Sequence, residues 1–270
     1  MSELSLFFKS IKLPVMPEVA HALIKTMNEE DVSAVRVRDL IARDPALATT
    51  VLRMANSAMF GLSQQVNSLD KAIHLVGMSQ IRTHALSICL GNAFPIAPGM
   101  DRGEFWRTSM ATGAYAQWLC SRLSMDMQQA WLTGVMLRLG ELIVAQQSPD
   151  LMQEIEKRPC APGERWARER QLTGFSEGEI TAELARRWDF PSEMVDGLDA
   201  VAQPLAEQEF SRLGAVVHLA GLLADLPDAG PQAVDDLPPA VIAALHLDEK
   251  WMRTSLPCSE KFLNVMDMQD

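Results

Sequence analysis

The sequence is poor in the residues that most often bind transition metals. Five of its 270 residues are histidines, and none lies between His84 and His218. The cysteines form no C-x-x-C pair or other metal-ligand spacing; they are Cys89, Cys120, Cys160 and Cys258. A zinc-finger or multi-histidine centre is therefore excluded. We expect the cysteines to be buried, reduced thiols.

The sequence also has fewer basic than acidic residues. The chain has 24 basic and 35 acidic residues, which gives a net charge of -11 at pH 7. An acidic surface works against sequence-independent attraction to phosphate backbones. We therefore expect no nucleic-acid partner.

No apolar run is long enough to span a bilayer comfortably. The longest, residues 130–145, is interrupted by Arg138 and Glu141. The N-terminal residues lack the basic start, apolar stretch and small-residue cleavage site of a secretory signal. These observations predict a cytoplasmic protein with no membrane partner.

The dominant pattern is helical. Apolar residues recur at spacings of three and four, whereas the period-two alternation of exposed strands is absent. Asp44-Pro45 predicts a helix start, and Ser68 and Gly77 predict the ends of a short helix. Residues 176–179 fit a capping box. The sequence predicts an all-α protein, with one largely apolar helix over about residues 128–147.

Residues 95–103, PIAPGMDRG, concentrate proline and glycine and predict a boundary. The predicted segments are an N-terminal helical lobe over 1–97, a second helical lobe over 98–228 and a helical extension over 229–270. One continuous domain is the alternative.

Six motifs, taken in order, resemble the HDOD (HD-related output domain) family over roughly residues 5 to 225. They are LPVMPEVAHAL (13–23), IARDPALATTVLRMANSAMFG (41–61), SLDKAIHLVGMSQIR (68–82), FWRTSMATGAYA (105–116), LTGVMLRLGELIVAQ (132–146) and LTGFSEGEITAELARRWDFP (172–191). The resemblance implies a bacterial signalling module with a two-lobed, all-α fold. In that fold an N-terminal helical lobe packs on a pseudo-HD helical lobe.

The resemblance also implies where the related HD phosphohydrolases would hold their metals. The corresponding residues here are Thr108, Leu137, Arg138, Ser176 and Glu177. Leucine has no lone pair, and arginine is a permanent cation without an acceptor atom. We therefore expect no metal, no cofactor and no catalysis at this site.

Arg138 has two interpretations at this point. Its fixed charge could bind a small anionic ligand where a metal would otherwise sit. Alternatively it pairs with Glu141, three residues along the chain, or with Glu177, and seals the former site. The helical spacing favours the second interpretation. Glu177, Asp196 and Asp199 could together hold a hard cation, but solvated surface carboxylates are the expected arrangement.

Four residues are candidates for a groove between the two lobes: Asn56, Phe60, Trp106 and Arg107. The structural interpretation of each is favoured, with Asn56 capping a helix and Trp106 lying in the core. The expected function is a non-catalytic signal-transduction or scaffolding module that binds another signalling protein or a small ligand. Two alternatives remain: a metal-dependent phosphohydrolase acting on a nucleotide or cyclic dinucleotide, and a non-catalytic nucleotide receptor.

Overall fold

The computed structural model describes residues 4, 7, 8, 11, 13–57, 60–156, 163–206, 210–226 and 229–258. This part of the chain contains fifteen α-helices, one 3-10 helix and no strand. The all-α prediction is confirmed. No helix in these ranges is long and apolar enough to cross a membrane.

The first five helices precede the predicted boundary. They are α1 (Glu18–Lys25), α2 (Ala34–Ala42), α3 (Pro45–Ala55), α4 (Leu69–Val76) and α5 (Met78–Ala93). The Asp44 carboxylate accepts hydrogen bonds from the amides of Ala46 and Leu47, which confirms the predicted start of α3. Ser68 caps α4, and Gly77 ends it with φ of 102°, a conformation that favours glycine.

The remaining helices follow the turn-rich stretch after Ala93. They are α6 (Arg102–Cys120), α7 (Met127–Met136), α8 (Leu139–Gln147), α9 (Pro149–Glu156), α10 (Glu164–Thr173), α11 (Glu177–Arg187), α12 (Ser192–Ala200), α13 (Arg212–Ala224), α14 (Pro239–Ala244) and α15 (Glu249–Ser255), with the 3-10 helix over Pro231–Asp236. The predicted capping box before α11 is present, with Ser176 and Glu179 bonded reciprocally.

One apolar core runs through the described residues from Phe8 to Met252. Helices α6 and α7 cross so closely that a Cβ on Gly113 would lie 2.8 Å from the Trp131 carbonyl oxygen. Helix α5 packs on α7 and so connects the residues before the boundary to those after it. The division at residues 97 and 228 stays a prediction.

The predicted single helix over residues 128–147 is wrong in one respect. The helix is interrupted between Met136 and Leu139, where Arg138 has φ of -82° and ψ of 2°. Both flanking helices are buried on nearly all sides, as expected. The interruption is stabilised by a contact with a residue distant in the sequence, so the local sequence could not predict it. It forms part of the candidate site.

The expectation of buried thiols is confirmed for Cys89 and Cys120, and burial raises the pKa of each thiol to about 12. It is wrong for Cys258, which is exposed because it follows the last described helix. Cys160 lies outside the described residues.

Candidate functional site

Thr181 of α11 stabilises the break between α7 and α8. Its hydroxyl donates to the Leu137 carbonyl oxygen at 2.9 Å and accepts from the Gly140 amide at 2.8 Å. These bonds satisfy backbone groups that the interrupted helix leaves without a helical partner. The break thus places Leu137 and Arg138 in the interior, where both are at least nine-tenths buried.

Helices α8 and α11 touch backbone to backbone at Gly140. A Cβ at this position would lie 2.3 Å from the Glu177 carbonyl oxygen, so only glycine permits the approach. Glu177 opens α11, and Glu141 follows Gly140 in the first turn of α8. The close approach therefore brings the two glutamates together.

Arg138 forms a buried ion pair with Glu141 and a second one with Asp225. Its Nη1 donates to Glu141 Oε1 at 2.8 Å, and its Nη2 donates to Asp225 Oδ1 at the end of α13. Burial alone would lower the pKa of Arg138, but Glu141 and Asp225 raise it above its ordinary value. The pairing of Arg138 with Glu141, one of the two interpretations from sequence, is confirmed.

A second arginine enters the same site from α10. Arg165 Nε donates to Glu169 Oε1 at 2.8 Å. Its Nη2 lies 3.0 Å from Glu141 Oε1 and 2.9 Å from Glu156 Oε1, as an ionic contact without good hydrogen-bond alignment. Burial favours a neutral Glu141, but Arg165 and Arg138 outweigh it and lower the Glu141 pKa. Glu141 is therefore an anion shared by two cations.

Glu177 behaves differently from Glu141. Its Oε1 accepts from Trp166 Nε1 at 2.7 Å, and its backbone amide donates to Glu169 Oε2 at 2.7 Å. Its Oε2 has no donor among the described residues. Burial and the carboxylates of Glu169 and Glu141 hold the pKa of Glu177 well above its usual range. We interpret Glu177 as a neutral carboxyl group.

The expectation that Glu177 is a solvated surface carboxylate is wrong. Its exposed fraction is 2%, because it lies beneath α10 and against Gly140. Asp196 and Asp199, grouped with it in the sequence analysis, are exposed on α12. The three carboxylates therefore do not form one cation site.

A different set of carboxylates has the spacing of a metal site. Glu141, Glu169 and Glu177 each place an oxygen within 4.8 Å of the others. They do not fit a metal in this arrangement. Two arginines already neutralise Glu141, and one of them, Arg165, also holds Glu169. A divalent cation would have to displace these ion pairs beside two fixed positive charges.

Histidine enters the site only as a packing partner. The ring of His218, on α13, packs against Trp166 at a tilt of 39° with ring centroids 5.0 Å apart, and its Nδ1 lies 2.7 Å from the Val201 carbonyl oxygen. Burial lowers the pKa of His218. The neutral imidazole fills space behind the Trp166 ring.

Two of the five predicted former metal positions, Arg138 and Glu177, belong to this network. Leu137 lies against Gly178 and Gly221 in the adjoining core. Thr108 bonds the Glu104 carbonyl oxygen in its own helix at 3.0 Å, and Ser176 caps α11. Thr108 and Ser176 therefore have local structural roles.

The four candidate groove residues are not joined by any hydrogen bond or ring contact recorded among the described residues. Asn56 bonds both backbone groups of Val66 at 2.7 Å, and Phe60 stands edge-on to His84 at 5.6 Å. Trp106 is buried against Phe105, while Arg107 is exposed. The predicted structural roles of Asn56 and Trp106 are confirmed. The inter-lobe groove stays a prediction.

Sequence reasoning missed five members of the network: Glu156, Arg165, Trp166, Glu169 and Asp225. Arg165 and Glu169 stand four residues apart, a spacing that suggests an ion pair on one helix face. Such pairs are common on solvated surfaces, and only the folded chain shows that this one is buried.

Comparisons with known proteins agree with this fold. A "Putative phosphohydrolase" from Shewanella amazonensis SB2B is 24% identical with a TM-score of 0.76, covering 99% of this chain and 95% of that one. A "Putative signal transduction protein" from Marinobacter aquaeolei VT8 is 19% identical with a TM-score of 0.77, covering 97% of this chain and 60% of that one. At these identities the likeness shows the fold.

Two further matches bear on the family. An HDOD domain protein of unknown function from Geobacter sulfurreducens is 20% identical with a TM-score of 0.69, covering 81% of this chain and 75% of its own. An uncharacterized protein of Treponema pallidum (strain Nichols) is 22% identical over 90% of this chain; the chain spans 48% of that relative. The HDOD domain family model matches residues 13–204, well over half of the sequence. The chain therefore belongs to the HDOD domain family, which is related to the HD phosphohydrolases.

Proposed function

We propose that this chain is a non-catalytic, cytoplasmic signal-transduction or scaffolding module of bacteria, which binds another signalling protein or a small ligand. The observation that carries the proposal is the buried pairing of Arg138 and Arg165 with Glu141. We call the ion network of Arg138, Glu141, Arg165, Glu169 and Glu177 the pseudo-HD site, because Arg138 and Glu177 stand at the predicted former metal positions. A hydrolase of this type needs a metal to generate its nucleophile. Here two guanidinium groups neutralise the carboxylates that a metal would require.

The geometry supports a structural role for these charges. Buried ion pairs are stable when each charge keeps its partners, and the loss of one partner leaves an uncompensated charge in the interior. Arg138 connects the break after α7 to the end of α13, and Arg165 connects α10 to α8 and α9. The network therefore stabilises the packing of five helices, which suits a rigid binding platform.

The family supports the signalling part of the proposal. The Marinobacter protein with this fold is named "Putative signal transduction protein". Its name is consistent with a role in which the fold presents surfaces to partners. The nature of the partner remains part of the proposal.

A phosphohydrolase is the second candidate, favoured by the name of the Shewanella protein and by the close approach of Glu141, Glu169 and Glu177. A nucleotide receptor centred on Arg138 is weaker, because both Nη atoms of Arg138 already bind carboxylates. Neither the phosphohydrolase nor the nucleotide receptor accounts for the buried ion pairs of Arg138 and Arg165.

Metal analysis and a hydrolysis assay on the same preparation test the proposal. The protein is incubated with Mn²⁺ or Fe²⁺, desalted, analysed for bound metal and assayed with bis(p-nitrophenyl) phosphate and with cyclic dinucleotides. We expect substoichiometric metal and no turnover above the blank.

Stoichiometric metal with turnover would contradict the proposal. In that case Glu141→Gln identifies the source, because it removes a carboxylate of the only candidate metal set in the described residues. Glu30→Gln is the matched control, since it removes an exposed carboxylate before α2. Turnover lost in the first variant and kept in the second would assign catalysis to this site.

A further inference from the structure

An open cleft lies between the outer face of α12 and the beginning of α13. Its volume is about 950 Å³, within the range of small-ligand and short-peptide sites. Its walls include Glu193, Asp196 and Asp199 of α12, together with Phe210 and Arg212 near the start of α13. None of these residues belongs to the ion network at the pseudo-HD site.

The walls of the cleft are fixed by a close helix crossing. A Cβ on Gly214 would lie 2.8 Å from the Gly197 carbonyl oxygen, and a Cβ on Gly197 would lie 3.0 Å from Leu213 Cγ. Helices that approach this closely have little freedom to shift, because interiors are close-packed. The two helical walls of the cleft are therefore preformed, which lowers the entropic cost of binding.

The cleft is acidic. Glu193, Asp196 and Asp199 recur every three residues and follow one face of α12, where all three are exposed. No ion pair within the described ranges engages Glu193 or Asp196. The nearby Arg212 is directed elsewhere, since its Nη2 donates to the Leu123 carbonyl oxygen at 3.0 Å.

Apolar surface flanks these carboxylates. Phe210 is 39% exposed and lines the cleft beside the carboxylates. It is one of seven large apolar side chains that are exposed in the described residues. An apolar contact beside a row of charges is the usual composition of a protein recognition site.

We propose that this cleft binds a basic segment of a partner protein, in which lysine or arginine residues flank an apolar anchor. The charged groups would meet Glu193 and Asp196, and the anchor would contact Phe210. The inference rests on the proposed function, because it names the surface and the chemistry of the partner. Nucleic acid is repelled by the same carboxylates, and a second copy of this chain would bring a net charge of -11 against them.

Selection of peptides from a random phage-displayed library tests the inference. The full-length protein is immobilised, and selected peptides are synthesised, labelled and titrated by fluorescence anisotropy. We expect lysine and arginine beside apolar residues in the selected peptides, with affinity that falls as salt concentration rises.

Two charge-reversal variants locate the binding. Glu193→Lys with Asp196→Lys should weaken the selected peptides at least about tenfold, because attraction becomes repulsion. Glu30→Lys with Asp31→Lys, at exposed positions before α2, changes the net charge equally and should leave affinity within about twofold. Phe210→Ala should weaken binding without altering its salt dependence.

The inference is overturned if the library yields no binder, if basic residues are not enriched, or if both charge-reversal variants weaken binding equally. The metal and turnover assays on the same preparation keep the two proposals separate. If the protein is metal-free and inactive and binds no peptide, the peptide-binding cleft is rejected and the proposed function stands. If the protein binds metal and turns over substrate, the proposed function is rejected, whatever the peptide experiments show.

Discussion

The helices before the predicted boundary and the helices around the pseudo-HD site use the same ion-pair chemistry in opposite environments. Before the boundary, Arg36 pairs with Glu29 and its side chain is 51% exposed. At the pseudo-HD site, Arg138 pairs with Glu141 and its side chain is 8% exposed. Water solvates the first pair whether or not it forms, whereas the second pair is shielded from water and is compensated only by the neighbouring charges of Asp225 and Arg165.

The contrast shows that position, and not residue type, decides what an arginine contributes. An exposed pair gains little, since screening and side-chain entropy offset the attraction. A buried pair can be broken only at a large cost.

The largest expected effect is on stability, from Arg138→Ala. The change leaves the carboxylates of Glu141 and Asp225 without a major partner, at a cost of about 3–5 kcal/mol in the free energy of unfolding. Urea denaturation followed by circular dichroism measures it. A loss below about 1 kcal/mol would mean that solvent reaches the site and that the two regions do not differ.

The next effect comes from the backbone contact that brings the network together. Gly140→Ala would place a Cβ 2.3 Å from the Glu177 carbonyl oxygen, and we expect a loss of about 3 kcal/mol. Gly103→Ala, in the first turn of α6, meets only side-chain atoms at 3.3 Å or beyond and is the control. It should stay within about 0.5 kcal/mol of the wild type. Equal losses in the two variants would contradict the close approach of α8 and α11.

Glu177→Gln should produce a smaller effect that depends on pH. The native pKa of Glu177 is raised, so its contribution to stability is present below the ordinary carboxyl pKa and is lost as pH rises through the native value. Glutamine cannot ionise. The variant should therefore gain stability relative to the wild type with rising pH, by up to about 1.4 kcal/mol per pH unit in that window.

Denaturation at a series of pH values measures the Glu177→Gln effect, with Glu30→Gln as the control for loss of one exposed carboxylate. A difference between Glu177→Gln and the wild type that stays constant from acidic to neutral pH would show that Glu177 is ionised in the native protein. The network would then carry one more negative charge than we infer.

The smallest expected effect is from Arg36→Ala. Its exposed pair with Glu29 should contribute less than about 0.5 kcal/mol, and the difference from the wild type should shrink further in high salt. A loss comparable to that of Arg138→Ala would erase the contrast between the two regions.

Local signals in the sequence predict most of the fold. Asp44, Ser68 and Ser176 cap the helices that they were expected to cap, because capping depends on residues within one turn. The break at Leu137 was missed for the opposite reason. Thr181, which stabilises it, lies 44 residues further along the chain.

The candidate site was predictable in part. The pair Arg138–Glu141 follows from spacing along one segment. The contributions of Arg165 and Asp225 depend on how α10 and α13 fold over that segment, which no local pattern contains. The burial of Glu177 was missed because its environment is set by Trp166 and Gly140, two residues on other helices.

The shared carboxylate of Glu141 also constrains how this protein can evolve. Loss of the Glu141 carboxylate removes a partner from both arginines, and loss of either arginine leaves buried carboxylates short of a partner. Descendants can cross that barrier only by changing the members together or by first gaining stability elsewhere. The network should therefore be inherited or replaced as a unit, while the exposed pairs near α2 drift one residue at a time.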